Sequence, residues 1–134
     1  RNSFVIRNAW DAGRHERELR DVEEYFGQEY VQGGEEYTTH VLMKDERIVY
    51  SKTMRFRFDS EFYVKGVQDN FASQEVAPCD YLALFQDILR RLGYVGVGCF
   101  NYKVKDGLPV IFELNPRFGA SLCTHVNELL EHYG

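Results

Sequence analysis

The sequence predicts an α+β chain, an antiparallel β-sheet with helices packed against it. Three observations carry this. Residues 99–104 and 110–115 alternate in polarity on either side of Asp106-Gly107, the pattern of a hairpin. Residues 48–58 alternate in the same way. From Pro78 to Leu92 the period changes, and Tyr81, Phe85, Ile88 and Leu92 fall on one helical stripe.

The chain's 134 residues suit one domain with a modest core. Hydrophobic residues make up 44% and aromatics 15%, which excludes a disordered chain. A net charge of −5 argues against nucleic acid as a partner, because such domains are usually basic. No apolar run reaches membrane-spanning length and no signal peptide is visible, so no membrane partner is expected. Cys79, Cys99 and Cys123 are odd in number and unclustered. They point to a reducing compartment, the cytoplasm, and to no disulfide framework. The chain opens on Arg1-Asn2 without Met, so further domains of a longer chain are expected, and an oligomer stays open.

Taken in order, Ser3 to Arg7 is a short apolar run that reads as a strand. Arg14 to Tyr25 is dense in charge, with Leu19, Val22 and Phe26 at i, i+3, i+7, which predicts an amphipathic helix. Gly33-Gly34 makes a bend before a strand from Tyr37 to Met43, where Thr38, His40 and Leu42 share the face of Glu36. Lys44 to Arg47 is a polar turn. In the next strand Ile48, Tyr50, Met54, Phe56 and Phe58 take one face, and Ser51, Thr53, Arg55 and Arg57 the wet one. Phe62, Val64 and Val67 allow a further strand, and Asp69-Asn70 a turn. Leu84 and Leu89 widen the stripe of the helix that Pro78 opens and Gly93 stops. Ser121 is placed to cap a last helix bearing Leu122, Val126, Leu129 and Tyr133.

The hairpin carries the chemistry. Phe100, Tyr102 and Val104 take one face of its first arm, and Cys99, Asn101 and Lys103 the other. In the second arm Val110, Phe112 and Leu114 oppose Ile111, Glu113 and Asn115. Glu113 and Asn115 stand at i, i+2, so the pleat points both oxygen donors the same way. Hard cations take such ligands together with phosphate oxygens, and the guanidinium of Arg117 suits phosphate. On spacing alone an edge hairpin with solvated side chains accounts for the same residues.

The wider wording favours the first reading. Glu113-Leu-Asn-Pro-Arg-Phe-Gly-Ala-Ser121 resembles the E-x-N-P-R-x-G-x-S signature of the ATP-grasp superfamily. It looks most like the branch of carbamoyl-phosphate synthetase and biotin carboxylase. Gly27 to Met43 is similar to that family's hinge pattern. The resemblance implies the C-terminal subdomain of the ATP-grasp fold and an ATP-dependent carboxylate ligase, acting on a small-molecule carboxylate and a nucleophile. It implies ATP and Mg²⁺ as cofactors, with Mn²⁺ able to substitute. It assigns Glu29, Tyr30 and Val31 to the adenine hinge, Glu36 to the ribose and Arg7 to the phosphates; His40, on the strand face of Glu36, is placed to approach the phosphates as well. Glu113 and Asn115 would hold the metal with Asn101 as a third ligand, and Arg117 would act on the transferring phosphoryl group.

Two features qualify that expectation. Where the family has a glycine-rich loop, this chain has Asn8 to Gly13 with one glycine, so the phosphate cover is reduced or missing. A truncated or degenerate module without independent catalysis, or a non-catalytic sheet that binds a partner, fits this departure. The second concerns register. A two-residue Asp106-Gly107 turn sets Asn101 against Phe112, on the wrong face, whereas a three-residue loop sets it against Glu113.

Overall fold

The computed structural model describes residues 3–21, 23–65 and 71–133. Among them the strands form one five-stranded antiparallel sheet, in the order β3-β2-β1-β4-β5. The strands are β1 (Glu35–Lys44), β2 (Arg47–Phe58), β3 (Phe71–Ala77), β4 (Gly96–Lys105) and β5 (Leu108–Asn115). Helices α1 (Ala9–Arg14) and α2 (Glu16–Arg20) precede the sheet, and α3 (Leu82–Arg91) connects β3 to β4. A 3₁₀ turn (Ala120–His125) leads into α4 (Val126–Leu130). The fold class is α+β with an antiparallel sheet, as the alternation predicts.

Alternation divides the central strand between two faces. Val41 and Met43 of β1 join Phe85 and Leu89 of α3 and Phe100 and Tyr102 of β4 in the larger core. Phe85 stacks on Phe100, ring centroids 4.3 Å apart. The Thr39 hydroxyl, buried in this layer, lies 2.7 Å from that of Thr53 and 3.2 Å from that of Tyr102. Helix α3 ends where the sequence places its stop. Gly93 adopts φ +60, its N–H donates to Arg90 O, and the Tyr94 N–H reaches back to Leu89 O. Leu84 and Leu92, expected on the apolar stripe, are exposed instead.

On the opposite face Leu42 and Tyr50 pack against Leu122 and Leu129 of the C-terminal segment. Met54, Phe56, Phe58 and Tyr63 form a third cluster. Between these two lies the polar strip of β1, Glu36, Thr38 and His40, all buried.

Two β-bulges reassign faces that simple alternation predicts. Leu42 pairs with Tyr50 but Met43 with Ile48, so Val49 is an extra residue. Ile48 therefore packs on the α3 core and does not share the face of Tyr50. In the hairpin Lys105 pairs with Leu108 across a two-residue turn, with Asp106 and Gly107 at φ 53 and 76. The three-residue loop is thus not formed. A bulge instead separates the Tyr102–Ile111 pair from the Asn101–Glu113 pair and makes Phe112 the extra residue. Ile111 consequently packs with Leu114 on the α3 core, and the predicted alternation of Val110, Phe112 and Leu114 on one face breaks at the bulge.

The N-terminal third departs most from expectation. Residues 3–7 carry no strand pairing. Asn8 caps α1 by accepting the Asp11 N–H at 3.0 Å, so the segment predicted as a reduced loop is helical. The helix expected over Arg14–Tyr25 is broken at His15 (φ −114, ψ 24) and ends by Asp21, whose carboxylate accepts the Glu24 N–H. Leu19 and Phe26 are exposed, so no apolar stripe is buried there. Phe62 and Val64 lie outside any strand, and β3 begins only at Phe71. Ser121 does not cap α4; Gly119 precedes the 3₁₀ turn, and Tyr133 is exposed. Val22, Val67 and the Asp69-Asn70 turn lie outside the described residues, as do Arg1, Asn2 and Gly134.

Candidate functional site

A cleft of about 1520 Å³ opens on the face of the sheet away from α3. Glu29, Tyr30 and Val31 line it from the segment before β1, and Glu36 from β1 itself. Asn101, Glu113, Asn115 and Arg117 line it from the hairpin and the turn that follows. Phe4, Val5 and Ile6 add an apolar rim.

Glu36 is buried, and its two oxygens have different partners. Oε1 lies 3.0 Å from the Lys65 ammonium, and Oε2 accepts the Tyr63 hydroxyl at 3.3 Å. Burial, then the charge of Glu36, holds the Tyr63 phenol far above its usual value. Lys65 also donates to Thr38 Oγ1 at 2.8 Å and sits 3.7 Å above the Phe56 ring.

From Thr38 a chain of hydrogen bonds runs to the hairpin. The Thr38 hydroxyl donates to Asn101 Oδ1 at 2.7 Å, and Asn101 Nδ2 donates to Glu113 Oε2 at 2.7 Å. Asn101 and Glu113 therefore share a face, as a metal role for both requires. As the amide stands, however, its oxygen faces Thr38 and its N–H faces Glu113. Glu113 and, two residues on, Asn115 line the cleft beside this pair. One carboxylate oxygen and one amide oxygen, completed by phosphate and water, fit the way Mg²⁺ is usually held. Asn101 fits as the group that orients Glu113. Among the described residues no cluster of three or more His, Cys, Asp or Glu side chains converges.

Lys103, nearly fully buried, reaches the segment that precedes β1. Its ammonium donates to Val31 O at 2.7 Å and Gly33 O at 2.9 Å, and lies 4.4 Å from the Tyr63 ring centroid. Burial lowers its pKa, and the charge of Glu36 opposes that. Tyr30 pins the same segment from the other side. Its hydroxyl, with one proton to give, lies 2.9 Å from Glu61 O and 3.1 Å from Tyr63 O and accepts the Tyr63 N–H at 2.9 Å. Gln28 Nε2 donates to the carbonyl of the bulged Phe112 at 3.1 Å. Among the described residues neither the Glu29 carbonyl nor the Val31 N–H has a hydrogen-bond partner.

Two predicted site residues are not brought to the cleft wall. Arg7 pairs with Asp11 at 3.1 Å, and this guanidinium holds the Asp11 carboxyl below its usual pKa. His40 is wholly buried beneath the turn after β5. Its Nε2 lies 2.9 Å from Ser121 Oγ, and its Nδ1 accepts the Gly119 N–H at 3.4 Å. Burial, then the charge of Lys65, lowers its pKa to about 4, so the ring is neutral. Cys99 is a small packed residue as expected, and burial pushes its thiol up.

Comparison with protein-family models and with curated proteins finds no match to this chain.

Lys65, Lys103, Thr38 and Tyr63 join the site without having been singled out by motif. Lys103 had a signal, since alternation puts it on the face of Asn101 and Cys99, pointing inward. Lys65 and Tyr63 lie in the irregular stretch after β2, where no periodicity reports a face. Among the described residues no helix is long and apolar enough to cross a membrane.

Proposed function

We propose that this chain is the nucleotide- and metal-holding part of an ATP-dependent carboxylate ligase, akin to the C-terminal subdomain of ATP-grasp enzymes. One observation carries the reading: residues 29–31, Glu36 and the Glu113–Asn115 pair, distant in sequence, line one cleft. Their order along β1 suits a nucleotide. Thr38, two positions beyond Glu36, pairs with Asn101, and Asn101 with Glu113. His40, two further on, pairs with Cys99, and Cys99 with Asn115. At about 3.3 Å per residue along β1 and about 4.8 Å for each of the two steps from β1 to β5, the metal end lies roughly 12 to 16 Å from Glu36, the scale of a nucleoside triphosphate.

The roles follow from chemistry. The Glu29 carbonyl and Val31 N–H offer an acceptor and a donor to an adenine edge. Glu36 accepts ribose hydroxyls in exchange for part of its bonding to Tyr63 and Lys65. Glu113 and Asn115 would hold Mg²⁺, which supplies charge neutralisation on the phosphates when bound. Arg117 stabilises charge on the transferring phosphoryl group. The reaction class is phosphorylation of a small-molecule carboxylate to an acyl phosphate, followed by attack of an amine or another nucleophile. The free thiols of Cys79, Cys99 and Cys123 suit a reducing, cytoplasmic setting.

A second reading has its own support. Asn8 to Gly13 forms a capped helix, and Arg7 is engaged with Asp11, so neither is committed to covering phosphates. A module that binds nucleotide without turning it over is consistent with that. Calorimetric titration with a non-hydrolysable ATP analogue and Mg²⁺ tests both. Binding that disappears in Glu113→Ala and Glu36→Ala supports the nucleotide site. No heat at millimolar ligand overturns it in favour of a scaffold, and binding without ATP turnover favours the second reading.

A further inference from the structure

We infer that His40 is the seat of the Pro116–Ser121 turn, a positioning residue that sets Arg117 at the cleft through both nitrogens of its ring. The effect on phosphate recognition rests on the ligase reading above; the anchoring does not. His40 lies on β1, two residues beyond Thr38, with its side chain on the cleft side of the sheet and no exposed surface. The turn after β5 lies over it. The Gly119 N–H points at Nδ1 and the Ser121 hydroxyl meets Nε2, so one rigid ring holds the second half of the turn at two points.

A ring nitrogen that accepts a backbone N–H carries no proton, so the proton is on Nε2 and is given to Ser121 Oγ. Gly119 lets the turn come close. A Cβ there would stand 3.2 Å from His40 Cε1, a tight contact that the ring would have to yield to by a few tenths of an ångström. The Gly and Ser of the Glu113–Ser121 wording, which metal binding leaves unexplained, are thus the two contact points with β1. Arg117 sits between Asn115 and these anchors, and its own bond in the turn is a 3.3 Å contact with Phe118 O. Its placement depends on the turn being fixed from below.

The experiment has two arms. In the protein without nucleotide, ¹⁵N NMR of His40 should show an unprotonated Nδ1 and a protonated Nε2, and His40→Ala should speed hydrogen exchange at the Gly119 amide. The opposite tautomer, or an unchanged Gly119 amide, overturns the anchoring even if ATP never binds. In the second arm, affinities for ATP and ADP are compared with Mg²⁺ present. His40→Ala should lower the preference for ATP about tenfold, the scale of a lost charge-assisted contact, and Ser121→Ala should lower it less. Adding His40→Ala to Arg117→Ala should change it no further. Ser121→Ala leaves no large cavity and keeps this arm decisive if His40→Ala fails to fold. A preference unchanged in both variants overturns the positioning role, whereas a wild-type protein that binds neither nucleotide overturns the ligase reading and leaves the first arm to decide the anchoring.

Discussion

Asn101 donates its side-chain amide to Glu113 across 2.7 Å, although the turn that joins their strands holds only two residues. A regular hairpin with that turn would pair Asn101 with Phe112. The extra residue at Phe112 corrects the register by one, and the carbonyl of this bulged residue accepts the Gln28 side chain. One local irregularity thus puts two polar side chains face to face and ties the segment before β1 to the edge strand.

Replacing that amide by a carboxylate tests what the pair is for. Asn101→Asp sets two acids directly opposite each other on one sheet face. Without divalent cation the variant should lose about 1 kcal/mol, the scale for like charges in a cross-strand pair. With Mg²⁺ or Mn²⁺ the loss should reverse, because the new carboxylate adds a ligand beside Glu113. Thermal unfolding in EDTA and in millimolar Mg²⁺ measures both. A melting temperature that is equally low in the two buffers would mean that no cation enters here.

Acid should weaken the fold in two separate windows. The pKa of His40 is about 4 when folded and about 6.5 in an unfolded chain. Between those values the unfolded state binds more protons, so stability rises with pH there and is lost as pH falls from 6.5 to 4. The full contribution is about 3 kcal/mol as an upper figure. Asp11, Glu35 and Glu128 have lowered values, so their contribution is present above the usual carboxylate range and is lost only at lower pH. Urea unfolding of wild type and His40→Asn at pH 7, 5.5 and 4.5 separates the windows. The variant should show a flatter dependence between pH 6.5 and 4, and parallel curves would contradict it.

Much of the sheet was legible because alternation reports faces wherever a strand is regular. Thr38, His40 and Leu42 fall on the face of Glu36 as expected, and so do Cys99, Asn101 and Lys103 on one face of β4. Ile48 and Ile111 were misplaced because a bulge reverses the parity of everything beyond it, and no residue type announces one. Phe112 reads as an ordinary strand residue. The N-terminal helix was overestimated because Leu19 and Phe26 have helical spacing but no surface to meet. Of the residues that line the cleft, Glu36, Glu113, Asn115 and Arg117 are picked out by wording, since short motifs keep their side chains on nearby residues. Lys65 was not, because its place beside Glu36 depends on how an irregular loop folds back.

Phe85 is the ring at the centre of the larger core. Phe85 is fully buried and stacks on Phe100 at 4.3 Å, with Tyr102 edge-on at 5.2 Å. Phe85→Ala removes the ring from the centre of the α3 layer and should cost about 3 to 5 kcal/mol. Chemical unfolding measures it. A loss below about 1 kcal/mol would show that α3 contributes little to the sheet's stability.

Lys103 offers a test of whether the segment before β1 recognises a base. Lys103→Met keeps the length of the aliphatic stem but removes the ammonium that holds Val31 O and Gly33 O. Two effects oppose each other in stability. Two charge-assisted bonds are lost, while a cation that burial disfavours is also removed. The net change should therefore be small, about 1 kcal/mol. Recognition should respond more strongly, because residues 29–31 lose the support that fixes the Glu29 carbonyl and the Val31 N–H. Affinity for ATP should fall about tenfold, whereas inorganic triphosphate, which has no base, should bind as in wild type. Lys103→Arg retains a donor for the same carbonyls and should recover part of the difference. If ATP and triphosphate weaken together, Lys103 acts on the phosphate end and residues 29–31 do not read the base.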